Sequence, residues 1–362
     1  MELAVLGGGH GSYAAAASLC EQGHQVCFWR RNREAFEPVL KSKTVTVLDS
    51  NGRRDVKIHR VTVDLAEAVD GVELIVIPLP ALVHDALARE LAPHLQDGQV
   101  VYLPPGTFGS YLFARAMRDT GNQADTSFAE TGTLPYLARK RGLNLVAISG
   151  YATRLPSGVF PARNSQHAFP ILEQAYPVIE RLEDALSGAL MNAGPIIHPP
   201  LIMMNAGPME HFDKWDIHNE GTQPAIRRVT DALDAERIAV RKAFGYAPPH
   251  FPLADHYSLE GDEWMYGNAA HEKLTDSEDW RENIDLIKHR YMTEDMELGL
   301  ALLVSCADYL GLDAPVSRGL LALGSAVTGR NFLETGRTLK NLGLAGLDRD
   351  ALAELLYEGI RG

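Results

Sequence analysis

A doubly wound α/β domain followed by an all-α domain is the fold class that the 362-residue sequence predicts. Two observations carry the first half. The chain opens on the apolar run Leu3-Ala-Val-Leu6, passes directly into Gly7-Gly-Gly-His-Gly11, and then into alanines 14–17. Further on, short β-branched runs alternate with stretches of helical periodicity, the pattern of parallel strands joined by helical crossovers. The second half rests on a change of character. Past about residue 185 strand-like runs vanish and long helical patterns take over.

The elements follow in order. Residues 1–6 read as a short buried strand and 12–20 as a small-residue helix. Glycines between them allow a tight turn and close approach of a ligand, and the free amides at the helix start favour negative charge. A phosphate is the natural occupant. Gly7-x-Gly9-x-x-Ser12 fits the dinucleotide fingerprint except at its last glycine, where serine is small enough for the helix–strand packing that position serves. Gly7, Gly9, His10, Gly11 and Ser12 are therefore expected at the cofactor, and the domain is expected to be a Rossmann-type dinucleotide-binding domain.

Residues 24–31, HQVCFWRR, read as the second strand. An acid at its end would grip the adenosine ribose, whereas an arginine accommodates a 2′-phosphate. Arg30 stands there, with Arg31 and Arg33 beside it. Guanidinium forks match phosphate geometry, so NADPH is expected in preference to NADH, held by Arg30 and Arg31. A solvated charge run is the competing interpretation. Residues 44–64 alternate on both sides of Asn51-Gly52, a hairpin signal. VELIVIPLP (72–80) reads as a strand buried on both faces, 81–95 as a helix, and QVVYLPPGTFGS (99–110) as strand then Pro/Gly loop. Ligands collect at the carboxyl ends of such strands, so Pro78, Pro80, His84 and Gly106 are expected to border the cofactor.

In the second half, residues 222–245 open at Thr222 with Pro224 close behind and stop at Gly245. Residues 293–311 open on Thr293 and two acids and stop at Gly311. The expected division is residues 1–187 for the dinucleotide-binding domain and 188–362 for the helical one. Composition bounds the partners. Asp and Glu number 47 against 34 Lys and Arg, a net charge of −13, which argues against nucleic acid or membrane surface. No apolar run approaches the roughly 18 residues of a membrane span. The first strand leaves no room for a signal peptide. Cys20, Cys27 and Cys306 show no metal spacing. A soluble, cytoplasmic protein without a metal is expected.

Four separated stretches now align with one family: NAGPIIHPPLIMMNAG (192–207), DALDAERIAVRKAFG (231–245), HRYMTED (289–295) and GRTLKNLGLAGL (336–347). They stand in the order found in opine dehydrogenases, and the chain resembles that octopine/nopaline dehydrogenase family over nearly its full length. The resemblance implies NAD(P)H-dependent condensation of an amino acid or amine with a 2-oxo acid such as pyruvate. The imine formed is reduced to an N-(carboxyalkyl) amino acid. It also implies a helical domain like the C-terminal one of 6-phosphogluconate dehydrogenase, an active site between the domains, and a homodimer. Helix 231–245 is expected to supply core and dimer surface rather than chemistry.

The resemblance places the catalytic histidine at His198, with Asp295 fixing its tautomer and Arg290 clamping a substrate carboxylate. Imidazole suits proton transfer near neutral pH, and a guanidinium suits bidentate carboxylate binding. Asp295 equally suits a helix start, where acids favour the dipole. Glu130, Thr131 and Asn192 are implied at the amino-acid substrate, with Thr133 competing with Thr131 because Glu-Thr and Leu-Pro stand further apart here. Tyr257 and Trp264 fall in a segment implied beside the amine pocket. A ketopantoate-reductase-like or 2-hydroxy-acid dehydrogenase is the first rival. Such enzymes tend to use a lysine near the start of the helical domain, and residues 142–213 contain none. A non-catalytic NADPH-sensing regulator is the second, and the His–Arg–Asp set argues against it.

Overall fold

Strands β1 (Glu2–Leu6) and β2 (Gln25–Trp29) begin a sheet around which the first unit of the structure is built. The computed structural model describes residues 1–254, 265–267 and 280–360. Contacts divide it into one unit of residues 1–189 with 353–360, and a second of residues 190–352. The division at 189/190 lies two residues past the expected one. The return of residues 353–360 to the first unit was not expected. It has a local cause: Arg163 Nε donates to the Glu358 carbonyl at 3.0 Å, and Gly359 packs against Pro161.

The other strands of this unit are β3 (Thr44–Asp49), β4 (Gly52–Lys57), β5 (Arg60–Thr62), β6 (Leu74–Val76), β7 (Val100–Leu103), β8 (Ser127–Thr131), β9 (Tyr136–Lys140), β10 (Leu145–Tyr151), β11 (Leu155–Phe160) and β12 (Ile179–Arg181). Eight of them form one sheet in the order β12-β11-β8-β7-β6-β1-β2-β5. From β8 to β5 all neighbours are parallel, as the alternation predicts. β11 departs from that pattern by running antiparallel to β8. Leu3 to Leu6 and Leu74 to Val76 are fully buried, the condition under which a strand carries an unbroken apolar run.

The hairpin signal is real but belongs elsewhere. β3 and β4 pair antiparallel, with Gly52 at φ +94° closing the turn, and join β10 and β9 in a second sheet of order β4-β3-β10-β9. The helix His10–Glu21 lies against strands of both sheets. A helix covered on two sides cannot have a polar face, and Gly11 through Leu19 are all buried. Small alanines let both sheets approach it. The second sheet therefore brings β9 to the glycine loop, where the Lys140 amide donates to His10 Nδ1 at 2.8 Å.

The second unit is mainly helical. Two-residue strands, β13 (Trp215–Asp216) and β14 (Arg281–Glu282), are exceptions too short to leave a pattern in sequence. Helix Pro224–Phe244 has Pro224 in its first turn and ends at Gly245, φ +91°. Gln223 rather than Thr222 is its cap residue, since the Thr222 hydroxyl donates to the Ile217 carbonyl. Arg237 and Asp234 on this helix form a buried ion pair at 2.6 Å, and Arg237 also donates to the carbonyls of Leu190, His250 and Phe251. The second helix, by contrast, starts earlier than its threonine. Tyr291–Leu300 is π-helical and runs directly into Ala301–Leu310, so Thr293 lies inside it and bonds back to the His289 carbonyl.

Candidate functional site

Two clusters hold the expected site residues, one in each unit. In the first, Gly7 adopts φ +131°, and a Cβ there would lie 2.4 Å from Ser12 Oγ, so only glycine fits. A Cβ at Gly11 would meet Leu134 at 2.8 Å and Pro78 at 3.3 Å. Gly9 and His10 are exposed at the start of helix His10–Glu21. Gly9 caps it without a side-chain bond, so its first amides remain available to an anion. The buried Ser12 hydroxyl meets no partner among the described residues. This cradle fits a dinucleotide pyrophosphate.

Arg30 lies across the loop: a Cβ at Gly8 would come within 2.4 Å of its Nε. Its guanidinium donates to Tyr13 Oη at 3.2 Å and to the Ala35 carbonyl at 2.9 Å. Arg31 does not share that position, because it is exposed and ion-paired with Glu90. Pro78 is buried against Gly11, and Pro80 is exposed just before the turn Ala81–Val83.

Three of the expected residues serve the scaffold instead. His84 is fully buried, with Nε2 at 3.1 Å from the Leu79 carbonyl and its ring beside Phe113 and Gly109. It ties down the Pro78–Pro80 loop through that carbonyl. Glu130 is fully buried, accepting from Ser110 Oγ at 2.8 Å. Gly106 packs on it so closely that a Cβ there would lie 1.6 Å from Glu130 Oε2. Thr131 is fully buried with its hydroxyl committed to the Pro156 carbonyl at 2.7 Å.

In the second unit the separation of 97 residues between His198 and Asp295 closes to a hydrogen bond. His198 Nδ1 lies 2.8 Å from Asp295 Oδ2. Helix Gly194–Met204 carries the histidine just before Pro199 and Pro200, which lack the amides that would bond to Pro195 and Ile196. The π-helix carries the aspartate. The two helices meet where side chains are smallest: a Cβ at Gly194 would lie 2.2 Å from Asp295 Oδ1, and one at Gly299 2.0 Å from Pro195 Cγ. Asn192 Oδ1 accepts from the Gly194 amide at 3.0 Å and so pins the helix start.

The His198 ring stacks on Tyr291, centroids 3.6 Å apart and planes 10° from parallel. The Tyr291 hydroxyl meets His218 Nε2 at 2.7 Å. Burial, with the Arg290 charge adding, holds His198 well below its usual range. Burial pushes the Asp295 carboxyl up to about 7, against the opposing pull of Arg290 and His289. A neutral imidazole donating Nδ1–H to Asp295 leaves the Nε2 lone pair for chemistry. Arg290 Nε lies 3.6 Å from the buried Glu294 carboxylate, and about half of the arginine side chain is exposed.

The profile of the NAD/NADP octopine/nopaline dehydrogenase alpha-helical domain matches residues 181–328, and that of the NAD-dependent glycerol-3-phosphate dehydrogenase N-terminus matches residues 2–105. The opine dehydrogenase of Arthrobacter sp. (strain 1C) is 26% identical over 356 residues, 95% of each chain. The helical-domain match and the full-length relatives support the opine dehydrogenase family for this chain. Solved structures agree at the level of fold. Octopine dehydrogenase with NADH and agmatine has a TM-score of 0.74, and with NADH and pyruvate 0.71. Both are 18% identical and cover 100% of this chain and 99% of that one. Yersinopine dehydrogenase with NADP+ bound has a TM-score of 0.63 at 14% identity, covering 99% and 97%.

Tyr291, His218 and Lys140 were absent from the sequence-based site. Tyr291 adjoins Arg290 in a stretch already singled out, but stacking has no sequence signature. Tyr257 and Trp264 lie outside the described residues. Among the described residues no three His, Cys, Asp or Glu side chains gather as a metal site, and no helix is long and apolar enough to cross a membrane.

Proposed function

We propose that this family member condenses an amino acid or amine with a 2-oxo acid such as pyruvate and reduces the resulting imine, with NADPH as the preferred cofactor. The observation that carries it is the His198–Asp295 pair, assembled from two family motifs beside Arg290. Gly7, Gly9, Gly11, Ser12 and Arg30 would hold the dinucleotide, which supplies hydride when bound.

Arg290 binds the oxo-acid carboxylate through its guanidinium fork. The amine nitrogen adds to the carbonyl carbon, giving a carbinolamine. His198 Nε2 takes the proton that the substrate ammonium must lose to attack, and the imidazolium so formed returns it to the departing hydroxyl, which leaves as water. Asp295 stabilises the positive charge on the ring and keeps Nδ1 protonated throughout. Tyr291 covers one face of the ring and fixes its plane. The regained Nε2 lone pair leaves the pair reset for the next substrate ammonium.

The arginine at the end of β2, with no acid in its place, supports the NADPH preference. Cytoplasmic location and a homodimeric state complete the proposal from the sequence reading, and light scattering on the purified protein tests the second. The decisive assay is NADPH oxidation with pyruvate against a panel of amino acids and simple amines. Turnover should depend on the amine, and the product should have the mass of the N-(1-carboxyethyl) adduct. Equal turnover without any amine, yielding a 2-hydroxy acid, refutes the proposed reaction.

A further inference from the structure

We propose that Lys140 on β9 forms, with Arg30, a two-cation seat for a phosphate dianion beside the glycine loop, and that this seat selects the 2′-phosphorylated dinucleotide. The inference rests on the cofactor preference proposed above and extends it to a residue of the second sheet. Position comes first. The Lys140 backbone is tied to the loop through His10, and its ammonium sits 4.0 Å from the centroid of the Tyr13 ring. The hydroxyl of that same phenol accepts from Arg30. One tyrosine therefore holds both cations, Lys140 over its face and Arg30 at its edge.

Charge comes second. No carboxylate among the described residues forms an ion pair with Arg30 or Lys140, although the chain carries 13 more acids than bases. Arg31 is the contrast, since it is held by Glu90. Burial and the nearby Arg30 charge push Lys140 down to about 8. Two like charges held together are relieved by an anion carrying two charges. A phosphate monoester supplies it, with a guanidinium fork on one side and a point charge on the other. Gly8 leaves room for the Arg30 stem to lie against the loop backbone, so the seat is continuous with the pyrophosphate cradle.

Titration calorimetry with 2′,5′-ADP and 5′-AMP tests this without turnover. The wild-type protein should favour 2′,5′-ADP. Lys140→Gln should lose about ten- to a hundredfold of that affinity, the range of one hydrogen bond to a charged group. Binding of 5′-AMP should be unchanged, which also reports an intact loop, and Lys140→Arg should restore most of the loss. The charged and aromatic groups acting on the ammonium are Arg30 and the Tyr13 ring. Loss of its proton should weaken wild-type 2′,5′-ADP binding between about pH 7 and pH 9, a slope absent from Lys140→Gln. If the wild type prefers 2′,5′-ADP and Lys140→Gln keeps that preference, the seat is refuted while the NADPH proposal stands. If the wild type binds both ligands equally, the cofactor preference itself fails.

Discussion

Replacing Gly194 by alanine puts a methyl carbon 2.2 Å from Asp295 Oδ1. Contact at such a separation is strongly repulsive, and relief to roughly 3.3 Å requires the carboxylate to retreat by on the order of 1 Å. The same carboxylate holds His198 at 2.8 Å, and a shift of that size carries the bond beyond useful length. Misplacement of a catalytic group by about 1 Å can cost 10²-fold in rate, so kcat should fall about a hundredfold. Stability should change little. Gly194 is not at positive φ and opens a helix, where alanine gains up to about 1 kcal/mol over glycine. The asp-to-methyl clash is taken up by rotating a short side chain rather than by backbone. The assays are amine-dependent NADPH oxidation, thermal unfolding and 2′,5′-ADP binding, the last two expected near wild type. Gly207→Ala is the control, since a Cβ there meets nothing within 4 Å. A fully active Gly194→Ala would show that turnover does not need Asp295 in place, and the proposed proton transfer would fall.

Removing the pair directly is the companion experiment. His198→Ala should lose about 10²–10⁴-fold in kcat with 2′,5′-ADP binding retained, and adding Asp295→Asn should cost little more; additive losses would mean the two residues act separately. In the direction of opine oxidation His198 acts as base, and burial holding it well below 6.5 keeps it unprotonated as pH falls through that value; in Asp295→Asn, which removes the carboxyl pushed up to about 7, the acid limb of the residual kcat should lie below 6.5, and a limb at or above it refutes the burial argument. Arg30→Asp should shift binding from NADPH toward NADH while Arg31→Asp leaves it in place, a contrast that equal effects would overturn. Tyr291→Phe should lose less kcat than Tyr291→Leu, because the ring stacks on His198 while the hydroxyl meets His218; the reverse order would assign the role to the hydroxyl.

What was legible in the sequence divides by the range of the interaction that creates it. The glycine loop, β1 and the parallel strands are written in local steric requirements: φ +131° at Gly7 and unbroken apolar runs in buried strands. The second sheet was half visible. The β3–β4 hairpin announces itself by its turn, but the pairing of β3 with β10 across a hundred residues leaves no local mark. Helix starts were misplaced wherever a threonine was taken for a cap, because Thr222 and Thr293 spend their hydroxyls on carbonyls of the preceding turn. The site shows the same division. His198 and Asp295 were placed by motif, whereas Glu130, Thr131 and His84 carry polar groups that equally serve a buried scaffold. Only packing distinguishes those two uses.

The packing also explains why Asp295 stands on an irregular helix. A π-helical turn is wider than an α-helical one, and here it buries the adjacent Glu294 and Asp295 together. The two acids then take different partners. Glu294 faces Arg290, and Asp295 faces His198. In the proposed reaction, two neighbouring carboxylates on one turn thus hold a cation for substrate binding and an imidazole for proton transfer. Gly194 and Gly299 are the complement of that turn, since the helix carrying His198 reaches it only where no Cβ intervenes. Position of the histidine is therefore set by glycines that carry no reactive group, which is why the glycine substitution tests the mechanism as directly as removal of the histidine itself.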